Sequence, residues 1–312
     1  YSYLYIINSS MINILCTSKP GDGLFYYSYE HCHYLNSVGI KSQVVVITHP
    51  KFKKEDYINS VKEKYIVCEN ITFNHKCTVR IFGPSKNDIT LIMGRSMLTL
   101  PYLSRNDYTK DQLLTIRLLV ANQLIAVYSE NHPIDYYKAV EYFDVKNIVD
   151  LADNDVYPDA PAKSIWFEKM INFSIYKTPV EDVKYDHLFL GTNKVYYEEV
   201  EKHIDKFENS VILAYRDGYI NPRHNHLFVP VTNLLGLFKS YVYTKSYFDP
   251  APRLIPECKW LNKEIKYVRD ATIEDGGLIY YSRSVPTLGM YKENAQYLID
   301  VIKEINEKKI NS

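Results

Sequence analysis

INILCTSKPGDGLFYYSYEHCHYLNS, residues 12–37, is the stretch from which the fold is read. Ile12–Cys16 is a short apolar run, which predicts a buried strand. Thr17–Leu24 (TSKPGDGL) carries Pro20, Gly21 and Gly23 and reads as a loop. Residues 25–37 then place Phe25, Tyr29, Cys32 and Leu35 near one face of a helix, and Gly39 is its stop signal. Strand, loop and helix in that order make half of a βαβ unit.

Outward from this unit the pattern repeats. Residues 43–48 (QVVVIT) predict a second strand and 53–64 a helix; 65–68 and 79–82 are further strand candidates. ITLIM at 89–93 is a strand followed by Gly94. Residues 109–124 predict an amphipathic helix with Thr109 as its N-cap, 125–128 (IAVY) a strand, 134–143 a helix and 147–151 a strand. Residues 152–164 are polar and rich in Pro and Asp, as a connecting loop would be.

A second run follows, with strands at 187–190, 210–215, 226–229, 241–244 and 264–268. Helices are expected at 195–207, 232–239 and 254–262, with a long amphipathic one at 289–309. The expected class is α/β, with two Rossmann-like domains facing a central cleft. The first spans 11–160, the second 161–288, and 289–312 is a helix that packs back on the first.

Composition bounds the function. With 37 basic and 37 acidic residues among 312, the net charge is zero, so the chain is no general nucleic-acid coat. DNA contact would need a local basic patch. The five cysteines show no CxxC spacing, which argues against a disulfide framework or zinc cluster and for a reducing compartment. No apolar run approaches the ~20 residues of a membrane span. Residues 1–10 lack the basic start of a signal peptide, and Met11 reads as the functional start. The 30 tyrosines reflect either coding bias or a sugar- or base-lining surface.

Three constellations carry chemistry. In Lys19-Pro20-Gly21-Asp22-Gly23, Gly21 and Gly23 let backbone amides approach a ligand. Asp22 is either a general base or the N-cap of the following helix. Gly191-Thr192-Asn193-Lys194 opens a helix in the second half; it suits a diphosphate or forms an ordinary capped turn. Phe248 to Cys258 (FDPAPRLIPEC) sets Arg253 and Glu257 four residues apart on one helix face. Arg253 suits a diphosphate and Glu257 the two ribose hydroxyls; the alternative is a surface ion pair.

Arg-x-x-x-Glu-Cys at a late helix start, within two α/β halves lacking GxGxxG, resembles the nucleotide-sugar segment of GT-B glycosyltransferases. The chain is most similar to the small DNA glycosyltransferases of T-even-type bacteriophages. That resemblance implies a UDP-sugar donor and 5-hydroxymethylcytosine in duplex DNA as acceptor. It implies arabinose or glucose as the sugar and the infected host's cytoplasm as the setting. It also implies Arg253 on phosphate, Glu257 on ribose and Asp22 as base. No tightly bound cofactor, no membrane and no obligatory metal are expected, although a divalent ion is compatible. On this reading Glu257→Ala weakens UDP binding and leaves the fold intact.

The remaining candidates are open between two roles. His132, in Glu130-Asn131-His132-Pro133, is a proton-transfer residue or a structural loop histidine. Lys51, Lys53 and Lys54 meet DNA phosphates or form a solvated charge run. Arg216, Arg223 and His224, at a strand's carboxyl end, touch diphosphate, sugar or DNA, or are structural. Asp150, Asp153, Asp155 and Asp159 form a hinge loop, a metal site or the base. The rival functions are a transferase acting on a polysaccharide or small sugar, and a non-catalytic binding module.

Overall fold

The computed structural model describes residues 11–66, 71–74, 88–127, 133–151, 171–214, 218, 220–228, 233–244, 253–268 and 288–310. The chain divides into two compact units. The first comprises Tyr1–Ile58, Cys68–Asn172 and Leu288–Ser312; the second comprises Asn59–Val67 and Phe173–Thr287.

The first unit holds a six-stranded sheet of β1 (Ile12–Cys16), β2 (Ser42–Ile47), β3 (Ile71–Asn74), β4 (Ile89–Ile92), β5 (Leu124–Val127) and β6 (Ile148–Leu151). Their order is β3-β2-β1-β4-β5-β6 and every adjacent pair is parallel. The order reverses between β1 and β4, the place where open parallel sheets bind ligands at their carboxyl edge. β1, β4 and β5 are buried along their whole length, which is why they read as mostly apolar runs, with Asn13 and Thr90 their buried polar residues.

Helix α1 (Gly23–Ser37) starts at the Asp22 cap and ends in a Schellman arrangement. Ile40 N–H donates to Leu35 O and Gly39 N–H to Asn36 O, with Gly39 at φ +84°. Helix α2 spans Lys54–Lys64, α3 Ser96–Leu103, α4 Lys110–Val120 and α5 Pro133–Tyr142. Thr109 and Gln112 form a reciprocal capping box on α4. Helix α8 (Leu288–Ile310) groups with this unit and buries Leu298, Val301, Ile302 and Ile305, one helical stripe.

The second unit holds β7 (Tyr185–Leu190), α6 (Lys194–Glu201), β8 (Ser210–Ala214), β9 (Asn225–Phe228), β10 (Phe238–Tyr243), α7 (Leu254–Trp260) and β11 (Glu264–Tyr267). Its five-stranded sheet is ordered β11-β10-β7-β8-β9, again parallel throughout. Side-chain alternation builds a core on each face. Leu188, Val211, Leu213, Tyr241 and Tyr243 pack with Ile255 and Cys258 of α7. Phe189, Ile212, Ala214 and Val242 pack with Tyr197 and Val200 of α6. Helices therefore cover both faces, as an α/β sheet of this order requires.

Three local expectations change. Tyr65 makes a single antiparallel bridge with Tyr176 where a strand over 65–68 was expected, and the third strand is Ile71–Asn74; 79–82 lies outside the described residues. The expected helix over 232–239 is a 3-10 turn, Leu234–Gly236, running into β10. Asn233 is left-handed at φ 56°, and a Cβ on Gly236 would meet Val180 O at 2.0 Å. Helix α3 was not foreseen.

Candidate functional site

In the second unit the strand order reverses between β7 and β10. The carboxyl end of β7 runs into Gly191, and the segment after β10 runs into Arg253 and α7. Two of the sequence candidates thus follow the two strands that flank the reversal, where ligands of open parallel sheets are held.

Glu257 lies one turn into α7 with its side chain 5% exposed. Its Oε1 accepts from Lys64 Nζ at 2.7 Å, from Arg253 Nε at 2.7 Å and from Tyr176 OH at 3.2 Å. Arg253 Nη2 also donates to Tyr65 OH at 3.3 Å and to Tyr176 OH. The Arg253–Glu257 pair is therefore not a surface pair: the guanidinium side chain is 9% exposed. Among the described residues, every hydrogen bond that the Glu257 side chain accepts goes to Oε1 and none to Oε2.

Burial alone would raise the Glu257 carboxyl. Lys64 and Arg253 outweigh it and hold the group below the ordinary glutamate value. Aromatic rings wall the cluster. Phe173 stacks on Trp260 at 5.1 Å, Tyr176 meets Trp260 edge-on at 5.4 Å and Tyr65 at 5.1 Å, and Lys64 Nζ lies 5.2 Å from the Tyr176 ring centre. The segment carrying Lys64 and Tyr65 is tied in by Ile66 N–H to Ile175 O and Lys177 N–H to Lys64 O, each 2.8 Å. No local sequence signal announced Lys64, Tyr65 or Tyr176.

At the other flank, Gly191 permits close packing. A Cβ there would stand 2.7 Å from Ile212 Cγ2 and 3.0 Å from Tyr197 Cδ2. Thr192 is half-buried, and Asn193 caps α6 by accepting Tyr196 N–H at 2.9 Å. Lys194 is exposed, 3.7 Å from Glu198.

In the first unit, Gly21 adopts φ +78° in the loop after β1, and Gly23 begins α1. Asp22 Oδ1 accepts Leu24 N–H at 3.4 Å, which makes it the cap of α1. Across the reversal Thr17 Oγ1 donates to Met97 O at 2.9 Å, joining the end of β1 to the helix that follows β4. Between β4 and that helix stands Arg95, fully buried and absent from the sequence candidates. Its guanidinium lies 4.5 Å from the Tyr136 ring centre and 5.9 Å from that of Tyr137. The Tyr136 hydroxyl donates to Asp150 Oδ1 at 3.2 Å. The readable signal was Gly94-Arg95-Ser96 after a buried strand.

Lys51, Lys53 and Lys54 are exposed between the carboxyl end of β2 and the start of α2. Arg223 and His224 correct an expectation. They lie at the amino end of β9, the edge opposite the Gly191 loop, because the connection from β8 has crossed the sheet before reaching them. They line a cavity of about 270 Å³ with Asp205, Ser210 and Asn225. His132, Arg216, Asp153, Asp155 and Asp159 lie outside the described residues.

Among the described residues no group of three or more His, Cys, Asp or Glu side chains is placed to hold a metal ion. No described helix is long and apolar enough to cross a membrane. Cys16, Cys32 and Cys258 are buried and in no disulfide, and burial pushes the Cys16 thiol up to about 11.

No family model matches the chain, and no curated protein matches it. Among solved structures, the crystal structure of GsuK bound to ADP aligns over 95% of this chain and 69% of that one, at 11% identity and a TM-score of 0.32. A likeness that weak carries no argument about fold or ligand.

Proposed function

We propose that this protein is a glycosyltransferase built from two Rossmann-like halves, moving arabinose or glucose from a UDP-sugar to 5-hydroxymethylcytosine in duplex DNA. The observation that carries the reading is the asymmetry at Glu257. One carboxylate oxygen is fixed by Lys64, Arg253 and Tyr176, while the other accepts no hydrogen bond from a described residue. A carboxylate so oriented beside the reversal of a parallel sheet suits a ribose hydroxyl. Arg253, one turn earlier, suits the diphosphate.

In the reaction, the bond from the sugar's anomeric carbon to the β-phosphate oxygen breaks. A bond from that carbon to the hydroxymethyl oxygen forms. The hydroxyl proton passes to a carboxylate of the first unit, for which Asp22 is the sequence candidate. Arg253, with the amides of the Gly191 loop, offsets the charge growing on the departing UDP. The target base leaves the duplex at a cost of a few kcal/mol, roughly. Lys51, Lys53 and Lys54 meet its flanking phosphates, and the setting is the cytoplasm of a phage-infected host.

A thermal-shift screen of nucleoside diphosphates and their sugar conjugates tests the donor. UDP and its sugars should raise the melting temperature by mass action. Transfer of label from UDP-glucose or UDP-arabinose to hydroxymethylated DNA, and not to plain DNA, tests the acceptor. No shift with any uridine nucleotide rejects the reading; nucleotide binding with label passing to a polysaccharide instead rejects the DNA acceptor.

A further inference from the structure

The first unit holds a titratable group, Asp150, that the proposed mechanism does not use. Asp150 is the third residue of β6, an edge strand whose carboxyl end lies on the same sheet edge as the Lys19–Gly23 loop. Resting on the glycosyltransferase reading, we infer that Asp150, aimed by Tyr136, is the carboxylate that takes the acceptor's hydroxyl proton.

The geometry separates the two oxygens of Asp150. Oδ1 accepts the Tyr136 hydroxyl at 3.2 Å. Oδ2 accepts no hydrogen bond among the described residues. Arg95 acts on the carboxylate through space, yet no ion pair within 4.0 Å joins the two. A carboxylate serving only as counter-ion to a buried arginine would be drawn into a direct fork with it. Here the guanidinium is turned onto the Tyr136 ring instead. Tyr136 is fully buried, so its hydroxyl is a fixed donor.

The result is a half-buried carboxylate with one oxygen anchored by Tyr136 and the other accepting no hydrogen bond from a described residue. Desolvation raises the Asp150 carboxyl, against the lowering pull of Arg95 and the Tyr136 hydrogen bond. That direction brings a carboxylate closer to the working pH of a general base. Asp22 differs, since its Oδ1 is engaged by the amide of Leu24 as the cap of α1. Tyr136 is a positioning residue: it holds the base and touches no substrate.

The test uses the full chain, UDP-glucose or UDP-arabinose, and a hydroxymethylated duplex. Asp150→Asn should lower kcat about 10²–10⁴-fold, the usual contribution of a general base, with UDP affinity and melting temperature near wild type. Asp22→Asn should lower kcat less than Asp150→Asn does; the reverse ranking overturns the assignment. Tyr136→Phe removes a bond to the charged form, so the acid limb of the kcat profile should move to higher pH. If Asp150→Asn transfers sugar within threefold of wild type, the assignment is overturned while the glycosyltransferase reading stands. Wild-type protein that transfers to no DNA overturns both. Should Asp150→Asn fail to fold, the Tyr136→Phe profile decides: an unmoved acid limb overturns the role.

Discussion

Lys64 Nζ stands 2.7 Å from Glu257 Oε1, although the two residues are 193 positions apart. Both residues belong to the second unit, which takes in Asn59–Val67 from the first α/β run. Glu257 thereby has two partners of opposite charge and a structural duty that its helix alone does not reveal.

Lys64→Met should therefore destabilise the second unit. Breaking a buried pair by removing one partner costs about 3–5 kcal/mol when the remaining charge is uncompensated. Arg253 stays on Glu257, so the loss should fall below that range. Denaturant unfolding followed through Trp260, which packs against Tyr176, reports it. A loss under about 0.5 kcal/mol, as for a surface pair, would show that the contact is not formed in solution.

The same network revises the expectation that Glu257→Ala leaves the fold intact. Alanine would strand Lys64 and Arg253 around a void. Glu257→Gln is the better probe, since it keeps the shape and one oxygen for the cations. Its effect should depend on pH. The Glu257 carboxyl is held below its ordinary value, so its stabilising contribution is complete above pH 4.5 and fades as pH falls below that toward the folded-state value. Wild type should exceed Glu257→Gln in urea midpoint at pH 7, and the gap should narrow below pH 4. A gap that stays constant from pH 7 to 3 would contradict the ion-pair account.

The alternation of strand and helix was legible because parallel strands are buried on both faces. Ile12–Cys16 and Ile89–Ile92 carry that burial in their composition. Helix α3 was not legible: SMLTLPYL has no polar face and contains Pro101. The run from Leu234 to Phe238 is apolar without a period, so helix and strand are equally consistent with it until Asn233 and Gly236 set the backbone. The pairing of Arg253 with Glu257 was legible because their four-residue spacing is local. Lys64 and Tyr176 were missed because a tertiary partner leaves no mark on its neighbours. Arg95 was not legible because an arginine just after a strand reads as a solvated loop residue, whereas here it is fully buried.

Gly191→Ala tests whether the first turn of α6 is packed against the sheet. The added methyl would stand 2.7 Å from Ile212 Cγ2, on a buried β-branched side chain that cannot swing aside cheaply. Overpacking of this kind costs about 1–3 kcal/mol. Unfolding in urea should show that loss, and UDP affinity should fall as the loop shifts. Full stability in the variant would mean that Ile212 and Tyr197 can yield, and that the glycine is not there for packing.

Arg223→Ala separates the two edges of the second sheet. Arg223 sits before β9 and shares a cavity with Ser210, the first residue of β8, whereas Gly191 follows the last residue of β7. Strands of this length, at about 3.3 Å per residue, put some 13–16 Å between the edges. UDP affinity should thus stay within twofold of wild type when Arg223 is removed. If Arg223 contacts a DNA phosphate, affinity for duplex should drop alike for all sequences, and the slope of log K against log salt should lose about one unit. Loss of UDP binding in Arg223→Ala would place the nucleotide at the amino edge and displace the Arg253–Glu257 assignment.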